Sequence, residues 1–159
     1  MTLKSAFIFA FVLVSNVCFA NSELKADWQH HQLTITDLAK NQAKFGGKIN
    51  FPNLFIFNHK NEITGMTLKG ATGLFKNIEL DNLPSRPLPE TPKIKGTKSL
   101  LSAILPKNSK QGHYTVALMI ANENLVYCEP CITELEVLDN LFAQKTNKNV
   151  QLKLITVSN

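Results

Sequence analysis

The chain has 159 residues, 44% of them apolar, and a formal charge of +5. That apolar fraction suits a folded domain and excludes a disordered chain. Its lysines stand singly, without interleaved aromatics, which describes a solvated basic surface and speaks against nucleic-acid binding.

Residues 1–20 have secretory character: Lys4, an apolar run from Ala6 to Val14, then Cys18-Phe19-Ala20. Small residues at −3 and −1 permit signal-peptidase cleavage after Ala20. The apolar core is too short for a comfortable membrane span. Ser15-Asn16-Val17 before Cys18 make a poor lipoprotein signal. The expected mature chain is residues 21–159, a single domain, periplasmic or secreted and without a membrane span. Cleavage leaves Cys128 and Cys131 as the only cysteines.

Residues 21–48 are polar and mixed, with one short helix from Asp37 to Phe45, capped at Thr36-Asp37 and stopped by Gly46-Gly47. Pro52 then opens the strand Leu54-Phe55-Ile56-Phe57. Asn58-His59-Lys60-Asn61 supplies turn chemistry, and residues 62–68 return as the second strand of a β-hairpin. A short helix is expected near 72–83. Pro84, Pro87, Pro89 and Pro92 mark an extended connector over 84–96. Beyond it, Thr97 can cap a helix carrying Leu100, Leu101, Ile104 and Leu105, ended by Pro106. Tyr114 to Ala121 is nearly all apolar, as a strand buried on both faces must be. After the cysteines, Ile132, Leu135, Leu138, Leu141 and Phe142 share one helical face, with Glu134, Glu136 and Asp139 off it. Residues 150–157 read as a further strand.

The pair in Val126-Tyr127-Cys128-Glu129-Pro130-Cys131 carries the functional signal. A c-type haem site needs His after the second cysteine, where Ile132 stands. Structural zinc needs four ligands; there is no second cysteine pair, and His30-His31 have the wrong spacing. No metal or other cofactor is expected. A purely structural disulfide is the bland alternative, although so small a loop removes little chain entropy. Soft-metal binding, as in copper-chaperone domains, also uses a cysteine pair before a helix. Here Val126-Tyr127 precede the pair where those domains carry Met-x, and too little chain follows to complete their fold. Redox exchange uses the spacing directly. The first thiol faces the positive end of the helix dipole, which favours its thiolate, and the second lies one turn inside. Pro130 is tolerated because the first turn has no donor to lose.

The segment from Tyr114 to Val157, a buried strand, aromatic-Cys-x-Pro-Cys, a long helix and a strand, resembles the redox half of the thioredoxin superfamily. The start Ile132-Thr133-Glu134-Leu135 resembles that of exported thiol–disulfide proteins of cytochrome maturation. A thioredoxin continues with a helix, a cis-proline, a β-hairpin and a final helix, and these lie upstream here. Phe51 to Asn58, then Asn61-Glu62-Ile63 and Lys69-Gly70-Ala71, resemble the cis-proline strand, its turn and its return. The resemblance implies an α/β fold, a thioredoxin-like central sheet flanked by helices. The implied fold is circularly permuted: hairpin half first (21–83), Cys-x-x-Cys half second (97–159).

It also implies an exported thiol–disulfide oxidoreductase acting on protein thiols or disulfides, and it admits a redox partner in the membrane. Cys128 would attack and Cys131 resolve. Phe51, a cis Pro52 facing the cysteines, and Tyr127 would contact substrate, while Glu129 and Pro130 would tune the pair. Many thioredoxins keep a buried acid on the strand before the cysteines. Val116-Ala117-Leu118-Met119-Ile120 has none, so Glu123 and Glu129 are the nearest candidates. A non-enzymatic thioredoxin-like module with a static disulfide remains the alternative. So do a separate N-terminal β module, and a dimer exchanging halves rather than a monomer.

Overall fold

Two apolar runs without polar alternation, Leu54 to Phe57 and Val116 to Ala121, can be satisfied only by burial on both faces. They pair at the centre of the sheet. The computed structural model describes residues 23–45, 50–67, 83–107, 109–144 and 149–159. The expected signal segment 1–20, the helix near 72–83 (except Leu83) and the Gly46-Gly47 stop lie outside them. The elements in chain order are β1 (Trp28–Thr34), α1 (Ile35–Phe45), β2 (Asn53–Phe57), β3 (Ile63–Thr67), α2 (Pro92–Leu101), β4 (Tyr114–Ala121), α3 (Glu129–Gln144) and β5 (Val150–Ser158).

The strands form one mixed sheet in the order β1-β5-β4-β2-β3, so the fold is α/β. β4 runs parallel to β5, from Tyr114 opposite Val150 to Ala121 opposite Val157. On its other side it runs antiparallel to β2, from Asn53 opposite Met119 to Phe57 opposite Thr115. β1 lies parallel to β5 at one edge, and β3 closes the hairpin at the other. The hairpin and the cysteine segment thus share one sheet within one chain, which is not the arrangement of a separate N-terminal β module.

Alternation along the strands makes two cores. Leu54, Ile56, Val116, Leu118, Ile120, Leu152 and Leu154 face α3, meeting Cys131, Leu135, Leu138 and Phe142. Phe55, Phe57, Ala117, Met119, Ile155 and Val157 face the opposite way, toward Leu38 of α1 and Ile94, Leu100 and Leu101 of α2. Each such side chain is worth about 1.5–3 kcal/mol on burial, so both faces are committed.

Local chemistry accounts for the element ends, and some differ from expectation. α1 starts two residues early. Thr34 and Asp37 form the reciprocal cap: Asp37 N–H donates to Thr34 Oγ1 (3.1 Å), and Thr34 N–H donates to Asp37 Oδ2 (3.1 Å). The hairpin turn is built on Asn58, whose Oδ1 accepts from Lys60 and Glu62 N–H, and on Asn61 at φ 57°. The connector ends sooner than expected. Thr91 Oγ1 accepts from Ile94 N–H, Pro92 occupies the first turn, and the helix begins there rather than at Thr97, which is buried mid-helix.

Strand β1 had no counterpart in the sequence reading. Only Trp28 of its seven residues is fully buried. Its neighbourhood is pinned to α3 by Asp139, which accepts from Lys25 N–H, Ala26 N–H and the Trp28 indole at 2.9–3.1 Å.

Candidate functional site: the Cys128–Cys131 disulfide

The site grows from the carboxyl end of the central strand. Asn122 N–H donates to Val157 O, and Asn122 O accepts from Leu125 and Val126 N–H, so the loop leaving β4 is tied to β5 before it reaches Cys128. Cys128 opens α3: its carbonyl accepts from Cys131 N–H at 2.9 Å and from Ile132 N–H at 3.2 Å. Glu129 and Pro130, between the cysteines, occupy the exposed first turn, as expected for Glu129. Cys128 and Cys131 are joined in a disulfide, Cα to Cα 5.2 Å. The two sulfurs' residues are treated unequally, Cys128 half-buried and Cys131 only 2% exposed.

Of the other expected site residues, Tyr127 adjoins the pair in the chain, and Phe51 and Pro52 lead into β2. Tyr127 is 73% exposed and Val126 52%, immediately before Cys128. The Phe51–Pro52 bond is cis, as expected, and leads into β2 at Asn53 opposite Met119, near the carboxyl end of β4. Phe51 is half-buried and packs against both cores, whereas Cys128 packs against the α3-side core alone; Pro52 is buried. Beside the disulfide lies a cavity of about 180 Å³, lined by Tyr127, Cys128, Cys131, Ile132 and Leu135, and by Leu154 and Thr156 of β5. Phe51 and Pro52 are not among its lining residues.

Glu134 corrects the sequence reading. Placed off the apolar face, it is in fact 1% exposed, and its Oε2 has no hydrogen-bond partner. Burial raises its pKa above the ordinary glutamate range, because the charged form loses water and gains no donor. It lies three residues beyond Cys131, hence on the same side of the helix. Glu123 and Glu129, the acids favoured from sequence, are both exposed. Asp139 was likewise expected off the apolar face and is buried. Burial alone would raise its pKa, but the hydrogen bonds from Lys25, Ala26 and Trp28 and the Lys25 charge outweigh that and hold it low.

Among the described residues no three His, Cys, Asp or Glu side chains gather as a metal-holding group, and no helix is long and apolar enough to cross a membrane. The chain matches no protein-family model, no curated protein and no solved structure.

Proposed function

We propose that this chain is an exported thiol–disulfide oxidoreductase on a circularly permuted thioredoxin-like fold. The observation that carries the reading is the asymmetry of one disulfide at a helix start, with an accessible Cys128 and a buried Cys131. A bridge that served stability alone would need no accessible sulfur, and its loop is too short to constrain the unfolded chain strongly. The permuted architecture is supported by the order in which elements meet. Reading from α2, the succession is α2, β4, disulfide, α3, β5, and then, from upstream, β1, α1, Pro52 and the β2–β3 hairpin, with β1 an added strand between β5 and α1. β2 joins β4, antiparallel, in the same sheet as β5, and a shared sheet is what the permuted reading needs.

In the reduced protein, the Cys128 thiolate attacks a substrate disulfide. The substrate S–S bond breaks, one substrate sulfur leaves as a thiol, and the other stays bonded to Cys128. Cys131 then attacks the Cys128 sulfur, closing the internal bridge and releasing the second substrate thiol. Two electrons reach the substrate, and the same steps reversed oxidise a dithiol. The electrons reside in sulfur throughout, so no cofactor takes part. We assign Glu134 the proton of Cys131: it sits one turn away, about 5–6 Å between Cβ atoms by helix geometry. A raised pKa lets it hold that proton at higher pH than an exposed acid could.

Cys131→Ser should accumulate mixed disulfides between Cys128 and partner proteins, visible as adducts on non-reducing gels, and Cys128→Ser should not. Absence of adducts from Cys131→Ser, with a bridge that resists glutathione, would return the pair to a static role. The export element of the reading expects a mature chain beginning at Asn21, checked by intact mass of protein from its native host.

A further inference from the structure

The cavity beside the disulfide is apolar within and carries acids at its rim. Its floor and one wall are apolar: Ile120, Ile132, Leu135 and Leu154, with exposed Val126 and Tyr127 at the mouth. Val126 and Tyr127 are also two of the large apolar side chains most exposed among the described residues. Apolar surface left in water beside a reactive pair marks a place where something docks. Its rim carries Glu123 and Glu136, both exposed, with Glu129 between the two cysteines.

The charge is segregated along the chain as well. Residues 111–144 contain Glu123, Glu129, Glu134, Glu136 and Asp139 and no Lys or Arg, in a chain whose formal charge is +5. That segment stands at −5 and the remainder at +10. Of these acids Glu123 and Glu136 line the cavity, which no Lys or Arg among the described residues lines. Long-range attraction from the rest of the molecule favours anions elsewhere; at the disulfide, local charge favours cations.

We infer that the cavity accepts an apolar side chain next to the cysteine of a cationic polypeptide, with Lys or Arg flanking it against Glu123 and Glu136. This rests on the thiol-exchange reading and adds to it the substrate class. In the exchange, the peptide thiolate attacks Cys128 Sγ, the Cys128–Cys131 bond breaks, and Cys131 leaves as a thiolate that takes up a proton. A second peptide thiol then releases Cys128, so two peptide thiols are oxidised to one peptide disulfide as the protein is reduced.

The test follows reduction of the full oxidised chain, by alkylation and mass, with three peptide thiols: Lys-Leu-Cys-Leu-Lys, Glu-Leu-Cys-Leu-Glu and Lys-Ser-Cys-Ser-Lys, all capped at both ends. Each rate is divided by the same peptide's rate with hydroxyethyl disulfide, which removes differences in thiol reactivity. At low salt the cationic peptide should react about tenfold faster than the anionic one, falling to about twofold near 0.5 M salt as the charges are screened. Replacing Leu by Ser should cost roughly tenfold, as expected for one apolar side chain withdrawn from water. The Glu123→Gln/Glu136→Gln double variant should reduce the cationic preference to about threefold. Equal normalised rates for the Lys and Glu peptides, or a preference untouched by the double variant, overturn the inference while leaving thiol exchange standing. Failure of uncharged 2-mercaptoethanol to reduce the bridge would instead overturn the exchange reading, and this inference with it.

Discussion

The two halves of α3 each bury one carboxyl group and treat it oppositely. In the half that carries the disulfide, Glu134 is enclosed with an oxygen that no donor reaches. In the second half, Asp139 receives two backbone N–H groups and an indole N–H, and so fastens the segment before β1. The same residue class on one helix is thus a fixed joint in one place and an unsettled titrating group in the other. A buried charge with its donors supplied stabilises; one without them costs free energy and can remain only where something else requires it.

The largest effect should come from breaking the joint. Asp139→Ala strands three donors and should destabilise the fold by about 3 kcal/mol, read as a lower urea midpoint. Its pH dependence has a definite sign. The folded-state pKa is lowered, so the Asp139 contribution is present above the ordinary aspartate pKa and is lost as pH falls through the folded value. The gap between the native chain and the variant should therefore narrow in acid.

Glu134→Gln should sharpen the contrast from the other side. Removing an unpaired buried charge should leave stability at neutral pH unchanged or raise it by about 1 kcal/mol. Because the folded-state pKa is raised, the native chain should lose stability as pH climbs from the ordinary glutamate range through the folded value. The variant should lack that slope. A Glu134→Gln protein clearly less stable than the native chain at neutral pH would mean that a donor serves this carboxylate after all. If Glu134 also takes the Cys131 proton, the variant should close its mixed disulfides more slowly while folding at least as well.

The smallest effect belongs to the exposed acids. Glu136→Gln, on the solvent side of the same helix, should shift stability by no more than about 0.5 kcal/mol. A larger change would show that the rim carboxylates carry structure as well as field.

Much of this arrangement was legible in the sequence, for reasons that differ by element. The hairpin announced itself through Pro52, the run Leu54-Phe55-Ile56-Phe57 and the Asn-rich turn, all local signals. Central β4 was legible because double-sided burial demands an unbroken apolar run. The pair at the start of α3 was legible from its spacing alone. β1 was missed because an edge strand held chiefly by backbone pairing leaves little trace in side chains: Gln29, His30 and Gln32 face water. The start of α2 was missed although Thr91-Pro92, a cap followed by a first-turn proline, gave the signal; the proline cluster before it read as connector. Glu134 was misplaced for a subtler reason. Starting the apolar stripe at Ile132, with Leu135, Leu138, Leu141 and Phe142, puts it on the rim. The buried stripe is centred on Cys131, Leu135, Leu138 and Phe142, which turns Glu134 inward. Counting Cys131 as an apolar residue would have moved the stripe.

The pairing of β1 with β5 sets a timetable. Trp28 lies opposite Leu152, with the hairpin and the whole cysteine half between them along the chain. A polypeptide emerging amino end first therefore offers residues 28–34 long before their only neighbouring strand has been synthesised. The loop joining them is long, and its closure is correspondingly late and slow. During that interval Trp28 and the donors that Asp139 will accept from remain in water, and the sheet lacks one edge. Until β5 has appeared, nothing in the sheet can seat β1.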